Sequence, residues 1–301
     1  MKILVLGKNG QVGWELQRSL ASIGDVIALD RHGCIGLSGD LTDLDALAAT
    51  VRSLKPDVIV NAAAYTAVDK AESEAALATR INAEAAGVLA RQAAAIGAWL
   101  IHYSTDYVFD GSGEQPWSED ALTSPLSVYG RTKRDGETTI IDSGARAVIL
   151  RTSWVYAARG QNFAKTILQL ACERDSLNVV ADQFGAPTGA ELIADVTAHI
   201  IRQISSSEDA DHLTGIYHLA AAGETSWHGY AQFVLDHASR RGCALRVSAG
   251  QVGAIRTEDY PLPAARPRNS RLNLAKLEKA FNLKMPPWQQ GVQRMLDEIQ
   301  L

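Results

Sequence analysis

Cysteine is scarce in this chain: Cys34, Cys172 and Cys243 stand far apart among 301 residues, and no C-x-x-C pair occurs. An odd count at wide spacing indicates neither a disulfide frame nor a zinc site. The expectation is therefore a reducing, cytoplasmic setting. Basic charge is also short, with 29 Lys and Arg against 34 Asp and Glu and a net charge of −5. No basic face is left to draw a phosphate backbone by charge, so no nucleic-acid partner is expected. Long apolar runs are missing too. The opening M-K-I-L-V-L-G has one basic residue and a short apolar run cut off by Gly7, too brief for a secretory apolar core. Nothing further along is long enough to span a bilayer, and no membrane partner is expected. Internal repeats are absent, and S-S-S-E-D-A-D-H at 205–212 reads as the tip of a surface loop. What remains is ordinary for a globular protein, 47% hydrophobic and 21% charged, with length for two domains or one large one.

What is present is a rhythm. Short β-rich runs at 2–6, 25–29, 57–60, 98–103 and 147–151 alternate with helical patterns at 11–23, 44–54, 74–96 and 128–142. That alternation predicts an α/β fold, a Rossmann-type doubly wound parallel sheet with helices on both faces. The Ala-rich run at 83–97 reads as part of a buried helix, because Ala is the best helix former and packs closely. Beyond about residue 155 the rhythm loosens. Helical patterns at 162–173, 191–204, 227–240 and 274–281 lie between short strands and Gly- and Pro-rich loops, which predicts a smaller C-terminal α/β lobe. W-H-G-Y at 227–230 opens a helix and is expected to fill the lobe interface, with Trp288 packing at the start of a last helix.

Directly after the first strand comes G-K-N-G-Q-V-G, with Gly7, Gly10 and Gly13 around Gln11 and Val12. Glycines there allow a tight turn and let backbone N–H groups approach a pyrophosphate at the positive end of the following helix. The second strand ends at Asp30, where an acidic side chain would hydrogen-bond an adenosine ribose. Strand, glycines, helix and acid in order predict a dinucleotide site in residues 1–155, joined by a returning helix near 189–206. The remaining segments of 156–301 form the expected substrate lobe. Asp30 favours NADH, whereas Arg31 could pair with the 2′-phosphate of NADPH, so both cofactors stay open. Asp40-Leu41 and Asn61-Ala62-Ala63-Ala64 close the third-strand region, where small residues would let the cofactor lie against the strand ends.

Three segments fall at or beyond the carboxyl ends of strands, the edge where ligands bind in open α/β sheets: S-T-D-Y-V-F at 104–109, Y-G-R-T-K at 129–133 and R-T-S-W-V-Y at 151–156. Tyr129 and Lys133, four apart, share a helix face. A tyrosine is a poor acid–base group near neutral pH unless tuned, and a neighbouring ammonium lowers its pKa. Thr105 offers a hydroxyl to hold a carbonyl oxygen beside the phenol. His102, His199, His228 and His237 have no partner at metal-ligand spacing and read as core or surface residues.

Taken together, Gly7/Gly10/Gly13, Asn61-Ala-Ala-Ala, Ser104-Thr105-Asp106-Tyr107 and Tyr129-x-x-x-Lys133 resemble an extended short-chain dehydrogenase/reductase. The phrases G-Q-V-G-W-E-L, H-Y-S-T-D-Y-V-F, S-P-L-x-V-Y-G, R-T-S-W-V-Y, D-Q-F-G-A-P-T and R-P-R-N-S-R-L-N are similar to blocks of the dTDP-4-dehydrorhamnose reductase family, and they run over nearly the whole chain. The resemblance implies reduction of a dTDP-linked 4-keto-6-deoxy sugar by NADPH or NADH. It implies that Tyr129 gives a proton to the 4-keto oxygen, that Lys133 holds the nicotinamide ribose and lowers the tyrosine pKa, and that Thr105 completes the triad. Asp106 would lie near the sugar, with Tyr103 and residues 63–65 along the cofactor. Trp154 would wall the deoxysugar, and Asn162, Gln183 and Arg266 would reach the nucleotide diphosphate. A homodimer is a further expectation that no residue pattern fixes. Magnesium is associated with the family, and Glu15 and Glu191 match its carboxylate ligands, but Gln289 stands where a third is expected. Arg268 departs from the small residue expected in R-P-R-N-S. Within the superfamily a 4,6-dehydratase would carry Glu where Tyr107 stands. An epimerase retaining its cofactor, and a non-catalytic NADP-binding regulatory subunit, stay open as alternatives.

Overall fold

The computed structural model describes residues 1–34, 36–206 and 209–299. Six parallel strands form the central sheet: β1 (Lys2–Leu6), β2 (Asp25–Leu29), β3 (Val58–Asn61), β4 (Trp99–Thr105), β5 (Ala147–Thr152) and β6 (Gly215–His218), in the order β6-β5-β4-β3-β1-β2. Among the described residues nine principal helices are α1 (Gln11–Leu20), α2 (Leu44–Leu54), α3 (Ala85–Ile96), α4 (Val128–Asp142), α5 (Phe163–Glu173), α6 (Ala190–Ser206), α7 (Trp227–Arg240), α8 (Ala275–Phe281) and α9 (Trp288–Glu298). Strands β3, β4 and β5 are buried along their whole length, which is why they read as near-continuous apolar runs.

Alternate side chains of these strands feed two cores. Ile3, Val5, Val58, Val60, Ile101 and Val148 pack with Leu16 and Leu20 of α1 and with Ile193, Ile200 and Ile204 of α6. On the other face Leu4, Leu6, Ile59, Leu100 and Ile149 meet Leu47 and Val51 of α2 and the alanines of α3. Helix α6 therefore covers the sheet although the chain reaches it late, and Arg18 and Ser19 of α1 hold its Asp195 at 3.0 and 2.5 Å. A third core joins α5, α7 and α9 around the parallel pair Leu177–Val180 and Val252–Ile255.

The helix expected over 74–96 is interrupted. Ala75–Thr79 runs into a π-helical turn, Arg80–Glu84, before α3 begins. Asn82 is the physical reason. Its carboxamide accepts the Tyr65 N–H at 2.8 Å and donates to the Tyr65 carbonyl at 3.1 Å and the Thr132 hydroxyl at 3.0 Å. The wider turn thus ties the segment after β3 to α4, a use of π-turns common beside functional sites. Helix α4 starts where Ser127 accepts the Gly130 N–H and the Glu72 carboxylate accepts that of Val128, two donors a helix start otherwise leaves free. All three cysteines are unpaired. Among the described residues no helix is long and apolar enough to cross a membrane.

Candidate active site

The chain crosses the sheet in opposite directions on either side of β1, so a crevice opens outside the carboxyl ends of β1 and β3. Its floor needs glycine. Gly7 has φ +87°, and a Cβ there would sit 2.8 Å from the Ala63 nitrogen; a Cβ on Gly13 would come within 2.1 Å of the Gly7 carbonyl oxygen. Gly10 precedes α1 without a side-chain cap, leaving the first helical N–H groups to an anion. The Gln11 side chain donates to the Gln161 carbonyl at 3.0 Å and links this loop to the segment after β5, while Val12 packs on the sheet core. Asp30 lies at the end of β2 and accepts from the Asn9 side chain and the His32 N–H, with Lys8 3.6 Å away. Desolvation works to raise its carboxyl, and the His32 N–H, Lys8 and Asn9 outweigh it and hold the group below the usual range. Asp40 turns inward on its own loop and accepts twice from Thr42, and Leu41 is buried. Ala62, Ala63 and Ala64 follow β3, with the Ala62 N–H on the Leu6 carbonyl and that of Ala63 on the Asn61 side chain.

Tyr129 and Lys133 lie on one face of α4, and the next position on that face, four further on, is Glu137. The side chain of Tyr129 is half-buried, packed with Val128 and Tyr65. Burial pushes its phenol up to about 12, with the Thr105 hydroxyl pulling it partly back and the Asp106 carboxylate pushing it further up. The expected lowering by Lys133 is not part of this arrangement. The lysine points its Nζ to the Tyr103 carbonyl at 2.6 Å and to His102 Nε2 at 3.2 Å instead. Burial pushes Lys133 down to about 8, against the opposing pull of Glu137. Thr105 ends β4 and donates to Asp106 at 3.1 Å. Burial raises Asp106 to about 6, with hydrogen bonds from Ser270 and Thr105 opposing it. Tyr107 packs edge-on to Tyr129, ring centroids 5.5 Å apart, so the position a dehydratase gives to a carboxylate holds an aromatic ring.

Beside these groups opens a cavity of 530 Å³, with Tyr107, Gln183, Trp227, Thr257 and Arg266 among its lining. Gln183 donates to Thr257 at 3.2 Å, and Arg266 pairs with Asp69 at 2.8 Å. Trp154 has φ +49° and stacks on Trp227 with ring centroids 3.6 Å apart. Arg268 pairs with Glu258 and stands 3.8 Å from Asp182.

Two expected residues are placed differently. Asn162 caps α5 by accepting the Lys165 N–H at 3.1 Å and donates to the Ala157 carbonyl at 2.7 Å, so both ends of its carboxamide serve its own loop. The side chain of Tyr103 enters the core, its hydroxyl 2.7 Å from that of Thr197, and it reaches the site through its backbone carbonyl. The magnesium expectation fits poorly. Glu191 is raised chiefly by burial, and Glu15 and Glu298 raise it further while Arg294 opposes them, but Glu15 also accepts from Arg18. Among the described residues no group of three or more His, Cys, Asp or Glu gathers to hold a metal. A carboxylate pair beside arginines falls short of the oxygen-rich shell magnesium takes.

The structure also brings in one residue that the sequence reading passed over, Glu137, and one that it read as core or surface, His102. Glu137 receives Arg151 through two hydrogen bonds of 2.9 and 2.7 Å and the Ser104 hydroxyl at 2.5 Å, all out of solvent. Its spacing from Lys133 repeats that of Lys133 from Tyr129, a signal open to sequence reading. His102 lies 1% exposed between Asn61 and Lys133, and nothing in an apolar strand distinguishes such a histidine from core filler.

A family model described as RmlD substrate binding domain matches residues 1–301. The dTDP-4-dehydrorhamnose reductase of Salmonella typhimurium is 54% identical over 299 residues, 99% of this chain and 98% of that one. That of Burkholderia thailandensis is 46% identical and covers 97% of each chain. The crystal structure of dTDP-4-dehydrorhamnose reductase from Bacillus anthracis, in complex with NADP, matches with a TM-score of 0.87 at 33% identity over 99% of both chains. With the cradle, the Tyr129–Thr105–Lys133 cluster and the whole length of the chain matched in this way, the chain belongs to the dTDP-4-dehydrorhamnose reductase family.

Proposed function

We propose that this chain reduces the 4-keto group of dTDP-4-dehydro-L-rhamnose to give dTDP-L-rhamnose. The observation that carries the reading is the half-buried phenol of Tyr129 beside Thr105, packed edge-on to Tyr107, which lines a cavity large enough for a nucleotide sugar. When bound, NADPH or NADH supplies the hydride that reaches C4 of the sugar. Gly7, Gly10, Gln11, Val12 and Gly13 would form its pyrophosphate turn, Asp30 and Arg31 would meet the adenosine ribose, and residues 62–64 would lie along it. Lys8, 3.6 Å from Asp30, offsets the acid and keeps NADPH acceptable beside NADH.

The proton comes from Tyr129. At about 12 the phenol stays protonated throughout the physiological range, so it is available as the sugar oxygen gains charge. Thr105 turns its hydroxyl to the same oxygen, which stabilises charge developing there. Lys133, oriented by the Tyr103 carbonyl, would offer its amine to the nicotinamide ribose. Trp154 and Trp227 offer the deoxysugar an apolar wall, and Gln183 and Arg266 offer polar groups to the diphosphate end. Residues 1–155 with α6 serve the cofactor and the remaining segments serve the sugar nucleotide. Elimination of water is disfavoured because Tyr107 supplies no carboxylate. No step passes through a metal.

The test is loss of reduced-nicotinamide absorbance when the keto sugar nucleotide is added to protein and NADPH. One equivalent consumed per sugar supports the reading. Intact dinucleotide binding without consumption sinks it and favours a binding subunit.

A further inference from the structure

Arg268 stands where a small residue is expected in R-P-R-N-S, and the proposed reaction has no step for it. Its backbone is fixed on both sides. The Arg268 carbonyl accepts the Phe184 N–H at 2.8 Å, and the next residue, Asn269, donates its N–H to the Gly111 carbonyl at 3.0 Å. The side chain leaves this loop and stands between carboxylates from two other segments. It pairs with Glu258, in the short turn Thr257–Asp259, and its Nε lies 3.8 Å from Asp182, just past the strand Leu177–Val180. Among the described residues Arg268 is the one cation that pairs with either carboxylate.

Those carboxylates lie directly behind the cavity wall. Asp182 accepts the Thr257 N–H at 2.9 Å and the Thr257 hydroxyl at 2.7 Å, and Gln183 donates to the same hydroxyl at 3.2 Å. Thr257 and Gln183 both line the cavity, so the guanidinium sits two contacts behind a polar stretch of its wall. Arg266, the neighbouring cation in the lining, is already matched by Asp69 at 2.8 Å. With Arg268 present, one guanidinium offsets Asp182 and Glu258; with a small residue there, neither carboxylate keeps a partner. The diphosphate of a nucleotide sugar is an anion, and uncompensated carboxylates one layer behind the wall oppose it. Arg268 and Glu258 are each more than half exposed, so their pairing adds little to stability. A charge at the rim acts instead on the capture of a charged ligand. We propose that Arg268 is a positioning residue for the substrate: acting through Asp182 and Glu258, it cancels their charge behind Gln183 and Thr257 and so raises affinity for the diphosphate. The inference rests on the cavity being the nucleotide-sugar site, and Arg268 itself touches neither substrate nor reacting atoms.

The experiment is calorimetric titration of the whole protein with dTDP, at low and at high salt, which requires no turnover. Arg268→Ala keeps the backbone bonds of its loop, and its melting point should stay within about 2 °C of the unaltered protein. Its Kd for dTDP should rise about fivefold at low salt, where a rim charge is felt most. The rise should shrink below about twofold at 1 M salt, where screening acts within about 3 Å. In Arg268→Ala combined with Glu258→Gln, the loss relative to Glu258→Gln alone should fall to less than about half, because one opposing carboxylate is gone. Steady-state rates should show the same rise in KM for the keto sugar nucleotide, with kcat and NADPH affinity unchanged. A loss undiminished in the double variant puts the guanidinium on the ligand itself, and a loss indifferent to salt is one of packing; either overturns the proposal. If dTDP binds the unaltered protein and Arg268→Ala alike at low salt, the proposal falls alone. If dTDP does not bind the unaltered protein, the assignment of the cavity falls and takes the proposal with it.

Discussion

Replacing Glu137 by glutamine strikes beneath the active site without touching any reacting atom. Glu137 and Arg151 are each 3% exposed and share two hydrogen bonds of 2.9 and 2.7 Å, and Ser104 adds a third to the same carboxylate. Removing one charge of a buried pair leaves the other unpaired, which costs about 3–5 kcal/mol. Glutamine keeps one acceptor oxygen, so the lower end applies. At roughly 2 °C per kcal/mol for a chain of this size, the melting point falls by about 6 °C. A second effect is electrostatic. Glu137 is the group that pulls Lys133 upward against burial, so its loss drives the lysine further below about 8. A smaller fraction is then charged at neutral pH, and the basic limb of the pH–rate profile moves toward acid. Thermal unfolding followed by circular dichroism, paired with rates across pH, reads both effects. A melting point within about 1 °C of the unaltered protein and an unmoved profile would refute the reasoning.

Tyr129→Phe is expected to keep dinucleotide affinity and lower kcat by about 10²–10⁴-fold, since the phenol acts mainly in the transition state; steady-state rates beside fluorescence titration of NADPH check it, and near-normal turnover would assign the proton to another group. Gly13→Val should weaken dinucleotide binding at least as much as it slows turnover, because its Cβ would sit 2.1 Å from the Gly7 carbonyl oxygen; calorimetric titration with NADPH decides, and unchanged affinity counts against the cradle. Asp106→Asn tests linkage. The wild-type carboxyl, raised to about 6, contributes stability that is fully present below its unfolded value and is lost as pH rises through about 6. The variant should therefore gain in melting temperature relative to the wild type between about pH 4 and pH 7, whereas a flat difference would show that burial does not perturb this group.

The sheet was open to sequence reading because each of its first five strands is a compact apolar run ended by a glycine, polar or helix-starting segment, and the structure moves those limits by at most two residues. Asn82 hid the π-turn: an Ala-rich segment has helical propensity throughout, and only a long-range partner, the Tyr65 backbone, decides where the turn widens. Tyr103 was misplaced for a related reason. A strand residue next to the site can serve it through its carbonyl while its side chain faces away, and residue type reports only on side chains. Asn162 has the residue type of a ligand contact and also that of a helix cap; the Lys165 N–H makes it the latter. The pairing of Glu137 with Arg151 crosses from α4 to β5 and needs the fold to be seen, although its four-residue spacing from Lys133 was there to read.

The central claim is that hydride reaches C4 of a dTDP-linked keto sugar at a site where Tyr129 supplies the proton. Reduction with NADPH carrying deuterium at the transferable position, followed by NMR of the product, tests it most directly. The account requires one deuterium at C4 of dTDP-L-rhamnose, and the product that Tyr129→Phe forms more slowly carries the same label at C4. Product free of deuterium, or label at any other carbon, would contradict it.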